Sequence, residues 1–319
     1  MEGESRVQSN TPGIAIETSR PVDAYLSLAL AMAIVGSSVV TGKYITDGMP
    51  IFLALLLRFA GAVVVMVAWL GPAGRIRAHL ILSRRDHTVI AIQALAGSVA
   101  FNVLLLYGLR ETTAAASGVI TSATPVMIAI ISFLLGERLR GRVWAGVLLT
   151  MAGVATVNVF GVDGGTDHAA NAVLGAILVL GAVVGESLYT ILAKMVSPGV
   201  SPTTMALWSI IYSTMMFLPL GLWQMRGFDP SAVPTSAWLS VAYSAVIVTV
   251  AAFVLWFRGL KQVPATTAAP FTGVIPIVAV ILAAILLGEP IGWPHLVGIV
   301  CVIGGILLIT RTPSSQEIA

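Results

Sequence analysis

Residues 108–137, GLRETTAAASGVITSATPVMIAIISFLLGE, have an echo at residues 259–289, GLKQVPATTAAPFTGVIPIVAVILAAILLGE. At an offset of 151, Gly108 meets Gly259, Arg110 meets Lys261, Ala114 meets Ala265, Thr121 meets Thr272 and Pro125 meets Pro276. One extra residue then brings Leu134-Leu135-Gly136-Glu137 onto Leu286-Leu287-Gly288-Glu289. Both copies are long apolar runs with a proline near the middle. Such a duplicated, interrupted apolar segment is the mark of a membrane protein built from two related halves.

The composition agrees. Of 319 residues, 57% are hydrophobic and 10% charged, and the mean hydropathy is +0.97. A soluble domain carries about 25% charged residues, so this chain cannot cover itself with polar groups. The net charge of +3 does not point to nucleic acid, because the charges fall between apolar runs and form no stripe along a helix. Cys301 is the single cysteine and lies inside the last apolar run, which excludes a disulfide framework.

Ten runs reach the roughly 20 residues needed to cross a bilayer. They lie near 24–45, 50–71, 87–109, 113–135, 142–160, 172–195, 203–225, 236–258, 265–288 and 292–310. None alternates in polarity as a barrel strand does, so the expected fold is all-α and polytopic, with ten transmembrane helices. Residues 1–23 read as a disordered cytoplasmic tail, 24–162 as one five-helix repeat, 163–171 as a polar link, 172–311 as the second repeat and 312–319 as a short tail. Five crossings per half is an odd number, so the second repeat enters the membrane inverted. With both termini in the cytoplasm, the outer loops hold only Lys43, Arg110 and Arg226 of the 17 Lys and Arg, and Arg58 sits inside a run. That bias predicts an inner-membrane protein with both ends inside. Trp69, Trp144, Trp223, Trp238, Trp256 and Trp293 fall near predicted helix ends, as an interfacial belt would place them, and Trp208 stays undecided.

Candidate chemistry sits mid-run. Pro125 removes the donor for the carbonyl of Thr121, Pro276 that for Thr272 and Pro270 that for Thr266. Freed carbonyls are tolerated where they face protein, water or a solute, so these prolines are candidate hinges lining a pathway; the competing reading is a plain kink relieved by threonine hydroxyls. Gln93 and Ser244 correspond across the repeat, as do Ser98 and Thr249, while Asn102 meets Phe253. Gln93, Asn102 and Ser244 are candidate substrate contacts, or interhelical glue. Glu186 is the acidic residue nearest a run centre, where a charge costs roughly 2.5–3.5 kcal/mol on insertion scales. It can bind a substrate ammonium, carry a coupling proton, or pair with Arg58. Tyr189, one turn on, can hydrogen-bond it or stack on a substrate ring. Lys43 and Lys194 match at offset 151 and read as snorkelling lysines; Glu137 and Glu289 read as favouring the N-terminus of the helix that follows each. The spacing Gly181-xxx-Gly185 reads as a close helix contact. No HExxH, GxSxG, P-loop or CxxC is present, so the sequence implies neither an enzyme nor an ATP-driven pump, and no cofactor or metal.

The run Thr-Ala-Ala-Ala-Ser-Gly at 113–118, Pro125 with residues 134–137, and Pro276 with residues 286–289 resemble the EamA-type carriers of the drug/metabolite transporter superfamily. The resemblance spans about residues 24–311, and the layout is most similar to bacterial exporters of aromatic amino acids. It implies a central cavity lined by the first, third, fourth, sixth, eighth and ninth helices, with alternating access. Apart from Glu186 and Arg58, that cavity offers hydroxyls, amides, carbonyls and apolar walls. These suit a neutral or zwitterionic, partly apolar solute better than a polyanion. The partners expected are such a small molecule and the lipid bilayer. Two alternatives are a broad drug-efflux carrier and a non-transporting subunit or sensor. Transport predicts a polar cavity at the depth of Thr121 and Thr272.

Overall fold

The computed structural model describes residues 21–71, 76, 79–121, 123–134, 141–160, 169–262, 268–289 and 291–310. Glu137, Thr266, residues 1–20 and 312–319, and most of the 163–171 link lie outside them. Among the described residues every regular element is helical. Six helices are long and apolar enough to cross a membrane, and shorter apolar stretches occupy Trp144–Gly153, Phe271–Leu287 and Trp293–Gly305. In order, the elements are α1 (Pro21–Gly48), α2 (Ile51–Leu70), α3 (Arg84–Glu111), α4 (Ala114–Thr121), α5 (Thr124–Leu134), α6 (Gly141–Phe160), α7 (Ala169–Met195), α8 (Pro202–Gln224), α9 (Thr235–Gln262), α10 (Val274–Leu282) and α11 (Trp293–Thr310). A 3-10 segment, Ala269–Gly273, leads into α10, and a π segment, Ala283–Leu287, follows it.

α1 starts at Pro21, so the last three residues assigned to the N-terminal tail are helical. Proline suits that place, since its missing N–H is one a first turn leaves unbonded anyway. α7 begins at Ala169, shortening the polar link from its far end.

The duplication is visible in the backbone. α3 and α9 are each 28 residues long and begin 151 positions apart. Each changes from α to π winding at matching places, Ala94–Ala100 and Ser244–Ala251. A π turn inserts an extra residue into the helical ladder and leaves carbonyls open to other donors. The fourth apolar run is not one kinked helix. It breaks after Thr121, and Pro125 is the second residue of α5. Pro276 is likewise the third residue of α10. Both prolines therefore start a new helical segment, where they forfeit little. At the end of the second copy, Gly288 adopts φ 67°, a left-handed stop that glycine takes without strain. In this copy the glycine of Leu-Leu-Gly-Glu is thus a helix terminator.

The principal packed pairs are α3 with α7, α2 with α8, α1 with α9, α1 with α10, α4 with α10 and α6 with α11. Every one joins the first half to the second, so the halves interdigitate. Gly185 shows how closely. A Cβ there would lie 2.4 Å from the carbonyl oxygen of Ala96, and one at Gly181 would lie 3.1 Å from Leu104. Both glycines of the GxxxG spacing face α3, as expected. Outward, the helices present Val64, Leu148, Ile177, Leu239, Ile285 and Val300, an apolar exterior suited to acyl chains. Trp69, Trp144, Trp223, Trp238 and Trp293 are exposed, whereas Trp256 packs partly buried against the core. Trp208 donates its indole N–H to the carbonyl of His79 at 3.0 Å and packs edge-on to His87, which makes it an anchor at one end of the bundle.

Candidate functional site

Two polar clusters form in the middle of the bundle. The first is built on α2, α3 and α9. Arg58 is 7% exposed; its Nε donates to Thr249 Oγ1 at 2.8 Å and its Nη1 to Asn102 Oδ1 at 2.7 Å. Asn102 Nδ2 donates to the carbonyl of Ser98 at 2.6 Å, and Thr249 Oγ1 donates to that of Ser244 at 2.8 Å. Each side chain takes up a carbonyl of its own helix and so turns its oxygen toward the guanidinium.

The second cluster lies where α4 breaks into α5. The hydroxyl of Thr124 lies 2.9 Å from the carbonyl of Thr121 and 2.6 Å from Glu186 Oε2 on α7. A hydroxyl has one proton, so it donates to one of these at a time. With Glu186 ionised, the proton goes to the carboxylate and the Thr121 carbonyl is released. With Glu186 protonated, the carboxyl donates to Thr124, which can then donate to Thr121. The state of Glu186 is thereby tied to the carbonyl that Pro125 leaves without its backbone donor. Next to it, Ser187 Oγ donates to the carbonyl of Val183 at 2.8 Å and lies 3.4 Å from that of Thr124.

A group of aromatic rings joins α7 to α9. The Tyr189 ring lies 5.8 Å from Phe253 and 5.7 Å from Phe257, centre to centre, and its hydroxyl is 3.5 Å from Ser209 Oγ. Gln93 Nε2 donates to the Tyr189 carbonyl at 3.1 Å. Gln93 Oε1 and the Ser98 hydroxyl are buried without a hydrogen-bond partner.

The structure thus places Gln93 against Tyr189, Asn102 against Arg58, Thr121 one hydroxyl away from Glu186, and Ser244 beneath Thr249. Ser244 Oγ also lies 3.4 Å from Thr41 Oγ1 on α1. Thr272 is buried in the 3-10 segment and Pro270 lies in the same turn. Thr121 and Thr272 are both buried, at 4% and 5% exposed. Arg58 and Glu186 have separate partners, and the pairing of the two is not made. Two residues escape a reading of the sequence: Thr124, whose only signal is its place beside Pro125, and Thr249, visible as a repeat mate and not as a guanidinium ligand. A cavity of about 440 Å³ opens at one end of the bundle, lined by His79, Ser83, Asp86, Ser197, Ser201 and Thr204 among others.

The lysines and Glu289 make contacts beyond those expected of them. Lys43 and Lys194 do not merely reach for the surface; each crosses to a neighbouring helix, donating to the carbonyls of Leu109 at 2.8 Å and Leu260 at 3.1 Å. Glu289 does not serve only the helix after it. Its Oε1 accepts the N–H of Ala114 at 3.0 Å, capping α4 of the other half.

Two stretches, residues 23–159 and 173–311, match the EamA-like transporter family. The chain belongs to that family. It is 41% identical over 290 residues to the "Uncharacterized transporter YetK" of Bacillus subtilis (strain 168), covering 91% of this chain and 87% of that protein. It is 27% identical over 266 residues to a "Probable terminal-alkyne amino-acid exporter" of Streptantibioticus cattleyicolor, covering 83% and 86%. A "Probable amino-acid metabolite efflux pump" of Salmonella typhimurium (strain LT2) is 26% identical over 189 residues, covering 57% of this chain and 62% of that one. A solved crystal structure superposes with a TM-score of 0.64 at 21% identity, covering 91% of this chain and 98% of its own, a likeness of fold. This EamA-family protein is therefore a polytopic membrane transporter and not an enzyme or a passive subunit.

Proposed function

We propose that this transporter exports small neutral or zwitterionic amphipathic metabolites, aromatic and other neutral amino acids foremost, across the inner membrane by alternating access. Its ten spans form two inverted five-helix repeats with both termini in the cytoplasm. The observation that carries the substrate class is the make-up of the central clusters. One buried guanidinium, one carboxyl, hydroxyls, amides and the Tyr189–Phe253–Phe257 wall match a solute with one charge of each sign and a ring. A polyanion would need several cations, which this centre lacks among its described residues. Two relatives whose names include amino-acid export or efflux support the same class.

Alternating access is supported by the interrupted helices at corresponding places of the two halves, the break between α4 and α5 and the 3-10 segment Ala269–Gly273 before α10. Glu186 carries the coupling proton, and Thr124 passes its state to the break between α4 and α5. Pro125, Pro270 and Pro276 mark the segments that flex.

The test is flux of labelled amino acids and cationic drugs from proteoliposomes with an imposed proton gradient. Export of phenylalanine or another neutral amino acid above empty vesicles supports the reading. Export of cationic drugs alone replaces it with drug efflux, and no flux of either ends it for these solutes.

A further inference from the structure

The repeat is symmetric in backbone and asymmetric in charge. At offset 151 the mate of Arg58 is Ser209, and the residue 151 positions before Glu186 is Val35. A scaffold needs neither charge at either place, since its mate manages with a hydroxyl or a methyl. Arg58 is the more demanding of the two. It is buried in a bundle with an apolar exterior, and its partners, Asn102 and Thr249, are neutral. Besides these acceptors its Cζ lies 5.3 Å over the Phe59 ring, and among the described residues it has no counter-ion, a costly state for a buried cation. Its Nη2 makes no hydrogen bond to any described residue.

We infer that Arg58, with the Ser98 hydroxyl, forms a carboxylate-binding subsite and so selects solutes that carry a free carboxylate. The inference rests on the transporter's handling amino acids. Three observations converge on it. The guanidinium is a planar fork of donors matched to two carboxylate oxygens, and two of its arms are already fixed, which sets its direction in advance. Ser98, one turn before Asn102 on the same face, is fully buried with its hydroxyl unpaired, a donor for an arriving anion. Gln93 Oε1 is a buried, unpaired acceptor on the same helix, and Gln93 touches Tyr189, whose ring joins the aromatic wall. Orphaned donor, orphaned acceptor, cation and ring wall are the complement of a zwitterion with an aromatic side chain. As pure scaffold, the same groups would be buried polar atoms without partners, a costly arrangement.

The experiment compares L-phenylalanine with L-phenylalaninamide, which lacks the carboxylate, by titration calorimetry on the full-length protein in nanodiscs and by flux. The unaltered protein binds the acid at least about 10-fold more tightly than the amide, since hydrogen bonds to charged groups contribute on this scale. In Arg58→Gln the acid weakens by about 10- to 100-fold while the amide keeps its affinity, so the preference disappears. Ser98→Ala reduces the preference without abolishing it. The unaltered protein alone can overturn the inference, whatever the folding of the variants: equal affinity for acid and amide would do so. So would Arg58→Gln weakening both equally. Phenylalanine flux without any preference over the amide removes the subsite and leaves the exporter standing; flux of neither removes both.

Discussion

Lys43 Nζ donates to the carbonyl of Leu109 at 2.8 Å, and its repeat mate Lys194 donates to the carbonyl of Leu260 at 3.1 Å. Both carbonyls lie in the last turn of a helix, α3 in one case and α9 in the other, where main-chain acceptors are left over and the helix dipole is negative. A lysine at the end of α1 or α7 thus fastens the far end of the helix it packs against. Replacement by methionine keeps the apolar stem and removes the bond. Lys43→Met should destabilise the protein by about 1 kcal/mol, seen as a lower midpoint of thermal unfolding in detergent. An unchanged midpoint would show that the contact contributes nothing.

Glu186 and Thr124 make a sharper prediction. If Thr124 relays the protonation state of Glu186 to the Thr121 carbonyl, Glu186→Gln should lose the dependence of export on the proton gradient, besides binding a zwitterionic substrate more weakly. Thr124→Val removes the relay while keeping its shape. It should lower gradient-driven export by about 10-fold or more, the scale of one lost charge-assisted hydrogen bond. Exchange of substrate at equal pH on both sides should be less affected. Persistence of gradient-driven export in Glu186→Gln would sink proton coupling through this carboxyl.

What is legible in the chain divides along physical lines. The repeat, the glycine contacts of Gly181 and Gly185 and the interruption of the helix beside Pro125 follow from periodicity and backbone sterics, which are local. The π turns are not marked by a shared composition: Ala94–Ala100 holds small residues with one glycine, Gly97, whereas Ser244–Ala251 is rich in β-branched residues and has none. The partners of Arg58 are equally hidden. Which groups meet mid-bundle depends on how α2, α3 and α9 are rotated about their axes, and matching depth along neighbouring helices does not supply that. Glu289 departs from expectation for a related reason. Its sequence neighbours point to the next helix, whereas interdigitation of the halves brings α4 to it.

Interdigitation also makes Gly185 hard to replace. A methyl there would sit 2.4 Å from the Ala96 carbonyl oxygen, backbone that cannot swing aside as a side chain can. Gly185→Ala should therefore force α7 from α3 and destabilise the protein by about 1–3 kcal/mol, as overpacking does. Gly199→Ala, which meets nothing within 4 Å, serves as the control and should unfold like the parent. Thermal unfolding of both variants in the same detergent makes the comparison.

Pro125 and Pro276 remain the candidate hinges, and their position in the first turns of α5 and α10 makes the test clean. Alanine at such a position restores an N–H that has no obligatory partner and costs a helix start little. It also allows α4 to run continuously into α5, closing the break on which the Thr121 carbonyl depends. The double variant Pro125→Ala/Pro276→Ala should unfold within a few degrees of the parent and bind phenylalanine with similar affinity. Turnover should fall by about 10-fold or more, as expected when a conformational step limits transport. Counterflow in proteoliposomes separates binding from turnover. Parental flux in the double variant would show that the cycle does not flex at these breaks, and the motion would then have to be sought at the π turns of α3 and α9.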